Sequence, residues 1–198
     1  MLHVTNGDNA AARIRRVVPD AEVLPWRDML HDGPVPCGLA PDELSEVRAR
    51  FIAEETGLEA AEVRRSFRAR DARLGAALED REELVLWFEH DLYDQLQLLQ
   101  ILAGLPERPP PGAELICVGS FPGRPGFAGL GELEPDELAS LWPLRVPLTH
   151  EHTRTARAAW DFFRGADPRA LARLDRRGEA LVAGAQAGLD LFGARAKR

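Results

Sequence analysis

An apolar run, Leu84-Val85-Leu86-Trp87-Phe88, stops at Glu89-His90-Asp91, and a helical pattern starts directly after it. Leu92, Leu96, Leu99 and Ala103 recur at the spacing of one helix face. A segment that is apolar at every position has no polar face to offer water. It reads as a strand covered on both sides, the condition of a parallel sheet sandwiched between helices. Glu89, His90 and Asp91 then stand at the carboxyl end of a buried strand, where open α/β sheets bind their ligands.

The rest of the chain fits that frame. Leu2 to Thr5 reads as a first strand, Gly7-Asp8 as the turn into a helix over roughly residues 9 to 18, and Val23-Leu24 as a second strand. Residues 27 to 40 carry turn formers and no period, and loops of that length in a domain are often functional. Pro41 opens a helix with Asp42 and Glu43 in its first turn, and a second helix carries Val63, Phe67, Leu74 and Leu78 on one stripe. Leu115 to Val118 is a fourth strand, followed by a glycine-rich loop from Gly123 to Gly131 and a short helix begun by Pro135. Repeated strand–helix order predicts a Rossmann-like, three-layer α/β fold with strand order 2-1-3-4. The helical pair at 41 to 80 is an insertion beside the crevice. Residues 1 to 148 form the α/β domain, and 149 to 198 a helical extension capped by Thr149, with a further helix from Asp167-Pro168.

Composition excludes several functions. The chain has 198 residues, enough for one good core, and its net charge of -7 argues against direct nucleic-acid binding or attraction to an anionic membrane. No stretch approaches the roughly 20 apolar residues of a membrane helix, and the N-terminus has no signal-peptide pattern. Cys37 and Cys117 form neither a metal-ligand spacing nor a disulfide framework, which suits the cytoplasm. The only lysine is Lys197, so P-loop and Schiff-base chemistry are out. The serine-hydrolase elbow and the zincin motif are absent as well.

The candidate site gathers residues from distant segments. Asp8 and Asp91 each precede an expected helix and read as N-caps, with Asp94 adding favourable charge three residues after Asp91. Capping does not explain Glu89 and His90 beside Asp91. Carboxylates with an imidazole suit acid–base work or a divalent metal, the one cofactor class the pattern suggests. Gly7 and Asp8 lie across the switch point from them. In the long loop, Arg27 offers a planar fork for an anion, and Asp28 and His31 stand near it, with a local Arg–Asp pair as the alternative. The glycine loop after strand four could present N–H groups to an anion, and Ser120 within it could act as a nucleophile if a base lay close.

Other polar features read as structural. His3 is a hydrogen-bonded interior histidine. His150 and His152 point about 200° apart around a helix and form a polar helix start, not a chelate. Arginines 64, 65, 68, 70 and 73 read as a solvated helix face.

Four motifs in order, H-V-T-N-G-D at 3 to 8, W-R-D-M-L-H-D-G-P-V at 26 to 35, W-F-E-H-D-L-Y-D-Q-L at 87 to 96 and F-A-G-L-G-E-L at 127 to 133, resemble a bacterial domain-of-unknown-function family, the one numbered eighteen thirty-five. The resemblance covers roughly residues 1 to 165 and brings no established activity or catalytic residues. Some members continue into a longer helical region reminiscent of a helix-turn-helix. The short extension here does not lead us to expect DNA reading by that route. Three functional classes follow from the residues: a hydrolase or phosphotransferase acting on a phosphorylated or nucleotide-like molecule, a non-catalytic ligand-binding or sensory module linked to transcription or signalling, and a structural or interaction protein. The small anionic molecule expected in the first two has no further identity at this level, and oligomeric state is open.

Overall fold

A computed structural model describes residues 1–165 of the chain. The strands β1 (Leu2–Thr5), β2 (Glu22–Pro25), β3 (Leu84–Glu89) and β4 (Ala113–Val118) lie side by side in the order β2-β1-β3-β4 and are all parallel. This is the Rossmann-like α/β fold and the strand order expected. A fifth strand, β5 (Val146–Pro147), joins the edge antiparallel to β4. Two residues ending in proline carry no periodic signal, and proline suits an edge strand.

Alternation along β3 explains its unbroken apolar run. Leu84, Leu86 and Phe88 enter one core with Leu2 and Val4, while Val85 and Trp87 enter the opposite core. Helix α1 (Asp8–Val17) and α5 (Pro135–Leu141) cover the second face through Ala10, Ala11, Ile14, Leu138 and Leu141. On the first face lie α3 (Ala60–Glu79), α4 (Leu92–Gly104) and α6 (His150–Phe163), through Leu74, Ala77, Leu98, Ile101 and Ala156. Helix α2 (Pro41–Thr56) pairs with α3. The insertion therefore belongs to a helical layer of the sandwich, with Leu74 and Ala77 in the core of the sheet.

Three local readings are corrected. Helix α1 begins at Asp8 itself, and its N-cap is Gly7, which offers no side-chain bond, so Asp8 is not a cap. Leu92 is 66% exposed: it sits in the first turn of α4, beyond the end of the sheet that buries Leu96. Arg70 is not on a solvated face but is buried between Trp26 and Phe67, with its guanidinium carbon 3.9 Å and 4.4 Å from their ring centres.

Thr149 does precede α6, with a reciprocal bond in which its backbone N–H donates to Nδ1 of His152, and His150 pairs with Glu107 at 3.0 Å. His3 is buried and its Nδ1 accepts from the Trp87 indole at 2.9 Å; burial lowers its pKa to about 4, so it is neutral. The proposed helix at Asp167-Pro168 lies outside the described residues. Among the described residues, no helix is long and apolar enough to cross a membrane.

Candidate functional site

Parallel strands end together, so the loops after β1 and β3 meet at the switch point of the sheet. Asn6, next after β1, donates to Oδ1 of Asp94 at 2.6 Å. The other Asp94 oxygen accepts the Glu89 backbone N–H at 2.7 Å. Asp91 caps α4 as expected, its Oδ1 accepting from the Asp94 N–H at 2.9 Å. These bonds bend the chain so sharply after β3 that Glu89, Asp91 and Asp94 bring a carboxylate oxygen each within 4.8 Å of one another.

Glu89 is held from the far side by the glycine loop. Leu130 N–H donates to its Oε1 at 2.6 Å, and Gly129 takes φ +152 so close that a Cβ there would lie 2.4 Å from Oε2. One backbone N–H of the loop thus meets an acid, and the acid is the protein's own Glu89. Burial, with the nearby charge of Asp94, pushes the Glu89 pKa up to about 7, and burial pushes Asp94 up to about 6. Gathering charge in a desolvated corner raises carboxylic acid pKa values, and such perturbation concentrates at functional sites.

His90 lies over Gly119, whose Cβ position is 2.5 Å from His90 Nδ1, while its buried Nε2 has no hydrogen-bond partner among the described residues. Gly7 leaves the N-terminus of α1 without a side-chain cap. Asp8 and Arg27 form an exposed bidentate pair at 2.8 and 2.6 Å, which consumes two of the donors of Arg27. His31 sits against the Tyr93 ring at 5.3 Å, on the first turn of α4. Glu89, His90, Asp91, Gly7, Asp8, Arg27 and His31 therefore come from segments that end on one side of the sheet. No hydrogen bond among the described residues joins Asp8 or Arg27 to Glu89 or His90.

Asp28 and Ser120 are different. Asp28 turns inward, 1% exposed, and takes Arg48 Nε and Nη2 on one oxygen at 2.9 and 2.8 Å. Burial raises its pKa against the pull of that guanidinium, and Arg48 also donates to the carbonyls of Met29, Asp32 and Pro34. Asp28 anchors the loop, and its other oxygen is buried with no hydrogen-bond partner among the described residues. Ser120 is exposed and makes no hydrogen bond to a base among the described residues.

Sequence reasoning treated Asp94 only as helix-end charge and missed Asn6, Tyr93 and Gly129. The signal for Asn6 was a polar residue between a buried strand and Gly7; for Gly129 no signal distinguished it from its neighbouring glycines. The thiol of Cys117 also abuts the corner, with burial pushing its pKa to about 12, so it stays protonated and is no nucleophile.

No protein-family model, curated protein or solved structure matches the chain significantly.

Proposed function

We propose that the strand-end crevice is the active site of a small-molecule hydrolase or phosphotransferase that binds a divalent cation through Glu89, Asp91 and Asp94. One observation carries this reading: carboxylate oxygens from these residues lie within 4.8 Å of one another, with Glu89 and Asp94 held at raised pKa by burial. A hard dication is the countercharge that all-oxygen ligation suits, and it would return these carboxyls to their ionised form. The uncapped N-terminus of α1, across the switch point, suits a phosphate group, and a cation bridging that phosphate to the acids would offset their repulsion. The substrate class is accordingly a phosphorylated or nucleotide-like small molecule. His90, next in the chain to Glu89, offers an imidazole for proton transfer, its buried Nε2 without a partner among the described residues. Membership of the bacterial family that the four motifs resemble, and a cytoplasmic setting, belong to the same proposal and rest on the sequence.

The test is titration of the full chain with Mg²⁺ and Mn²⁺ by calorimetry, followed by a turnover screen with phosphate monoesters and nucleotides. Cation binding that is lost in Asp91→Ala, with turnover that requires the cation, is the expected result. Absence of binding at millimolar cation, together with no turnover, would remove the enzyme reading.

A second reading has its own support. Each of these carboxylates already accepts a protein N–H, from Leu130, from Asp94, and from Glu89 together with Asn6. A cluster so satisfied also fits a junction that ties β1, β3 and the glycine loop together, in a ligand-binding module without turnover or in an interaction protein. Absence of turnover would select it, with cation binding then marking the ligand-binding module and its absence the interaction protein.

A further inference from the structure

A second site lies away from the strand-end crevice. Helices α2 and α3 enclose, with the C-terminal half of α4 and the end of α6, a cavity of about 440 Å³. That is within the size of small-molecule pockets. Its α4 lining starts at Gln100, so it is separated from Asp91 by roughly 13 Å of helix. Leu44, Leu74, Leu78 and Ile101 give it apolar walls, and Trp26 and Trp160 give it flat ones.

The polar groups of this cavity are mostly donors. Arg70 lines it, 5% exposed and fixed between two aromatic rings. Its Nε is taken by Asp71 at 2.8 Å, but its buried Nη1 has no acceptor among the described residues. A buried guanidinium N–H without a partner costs on the order of 1–3 kcal/mol, and more for a charged group, so it calls for an explanation. Arg157 and Arg164 also line the cavity, and among the described residues both donate only to backbone carbonyls, of Ala103 and Leu105 and of Pro36 and Leu39. Neither has a carboxylate partner among the described residues. Gln100 accepts the Trp26 indole N–H on its oxygen at 2.7 Å, and its amide N–H groups meet no acceptor among the described residues. Two carboxylates balance these cations in part: Asp71, already engaged by Arg70 and Ser45, and Asp161, at the exposed rim.

Gly75 adds an independent observation. It lies inside the 20-residue α3, lines the cavity, and a Cβ there would meet nothing within 4 Å. Glycine in a helix interior costs roughly 1 kcal/mol against alanine, and packing does not require it here. What its missing side chain provides is room in the cavity.

We propose that this cavity binds a small amphipathic monoanion, a carboxylate on an apolar body, with Arg70 as the anchor of the head group. A planar carboxylate matches the edge of a guanidinium whose Nε is already spent. The Asp71 carboxylate beside it disfavours a doubly charged phosphate. The apolar body lies along the leucines and tryptophans.

The probes are decanoate and 1-naphthoate, with decanol, 1-naphthalenemethanol and 1-naphthyl phosphate as comparisons, measured by calorimetry and thermal shift on the full chain. One of the carboxylates binds with 1:1 stoichiometry at about 0.1 mM or tighter, and its alcohol at least about tenfold more weakly. Gly75→Leu, which fills the cavity while improving helix propensity, abolishes binding and keeps or raises Tm. Arg70→Gln weakens binding at least about tenfold; if that variant does not fold, Gly75→Leu decides alone. Glu89→Gln leaves binding unchanged, which separates this site from the strand-end crevice. The proposal is overturned if neither carboxylate saturates by about 5 mM, if the alcohols bind as well as the acids, if the phosphate binds more tightly, or if Gly75→Leu binds normally.

Discussion

Asn6 donates to Asp94 across 88 positions of sequence, at 2.6 Å, and the other oxygen of Asp94 holds the Glu89 N–H. One carboxylate thereby fixes the ends of β1 and β3 and the first turn of α4. The Asn6 bond also lowers the Asp94 pKa against the rise that burial imposes. Asn6→Ala is expected to cost about 1–3 kcal/mol above pH 6, and less below it, where Asp94 becomes protonated. Urea denaturation at pH 5 and pH 8 measures the difference.

Glu89 gives the clearest pH dependence. Its folded pKa of about 7 lies above its ordinary 4.5, so between those values the folded state holds a proton that the unfolded chain has released. Stability falls as pH rises through that window and levels above it. Glu89→Gln, neutral throughout, should remove most of this slope and be more stable than wild type at pH 8 by up to about 3 kcal/mol. Because the lowered pKa of His3 gives an opposite slope below pH 6.5, the readout is the difference between the variant and the wild type: a Tm advantage of Glu89→Gln that does not grow from pH 5 to pH 8 in metal-free buffer would contradict the assignment.

The glycine loop is tested by Gly129→Ala. A methyl group 2.4 Å from Glu89 Oε2 must push the carboxylate off the Leu130 N–H, and φ +152 strains any residue with a Cβ. We expect a loss of about 2–4 kcal/mol by the sum of strain and a broken buried bond. Gly126→Ala shares a positive φ but meets nothing within 4 Å, so its smaller loss measures strain alone.

Arg48 holds the loop at residues 27 to 40. Arg48→Met leaves Asp28 as an unpaired buried charge and frees the carbonyls of Met29, Asp32 and Pro34. A cost of about 3–5 kcal/mol is expected, with loss of hydrogen-exchange protection confined first to that loop. Pairing it with Asp28→Leu should recover a large part of the loss, because the charge is then gone from both sides.

Asp8 and Arg27 make short bonds yet remain half exposed, so Asp8→Ala should change stability by less than about 1 kcal/mol. If the crevice binds a phosphorylated molecule, the same variant frees the Arg27 fork and should tighten that binding.

The sequence by itself determined the layers of this protein. A run apolar at every position, alternating strand and helix periods, and prolines opening α2 and α5 are local signals, and β3, α4 and the order β2-β1-β3-β4 follow from them and from right-handed crossovers. The sequence also singled out Glu89-His90-Asp91, because a strand end is readable wherever an apolar run stops. Only the tertiary structure decided which polar groups share an environment. Asp28 and Arg27 are adjacent, yet one is buried against Arg48 and the other pairs with Asp8 in water. Arg70 carries the same signature as its helical neighbours, yet Trp26, from another segment, covers it. Desolvation and hydrogen-bond partners are sums over residues far apart in the chain, so no local pattern encodes them. The short β5 and the corner closed by Asn6, Asp94 and Leu130 exist for the same reason.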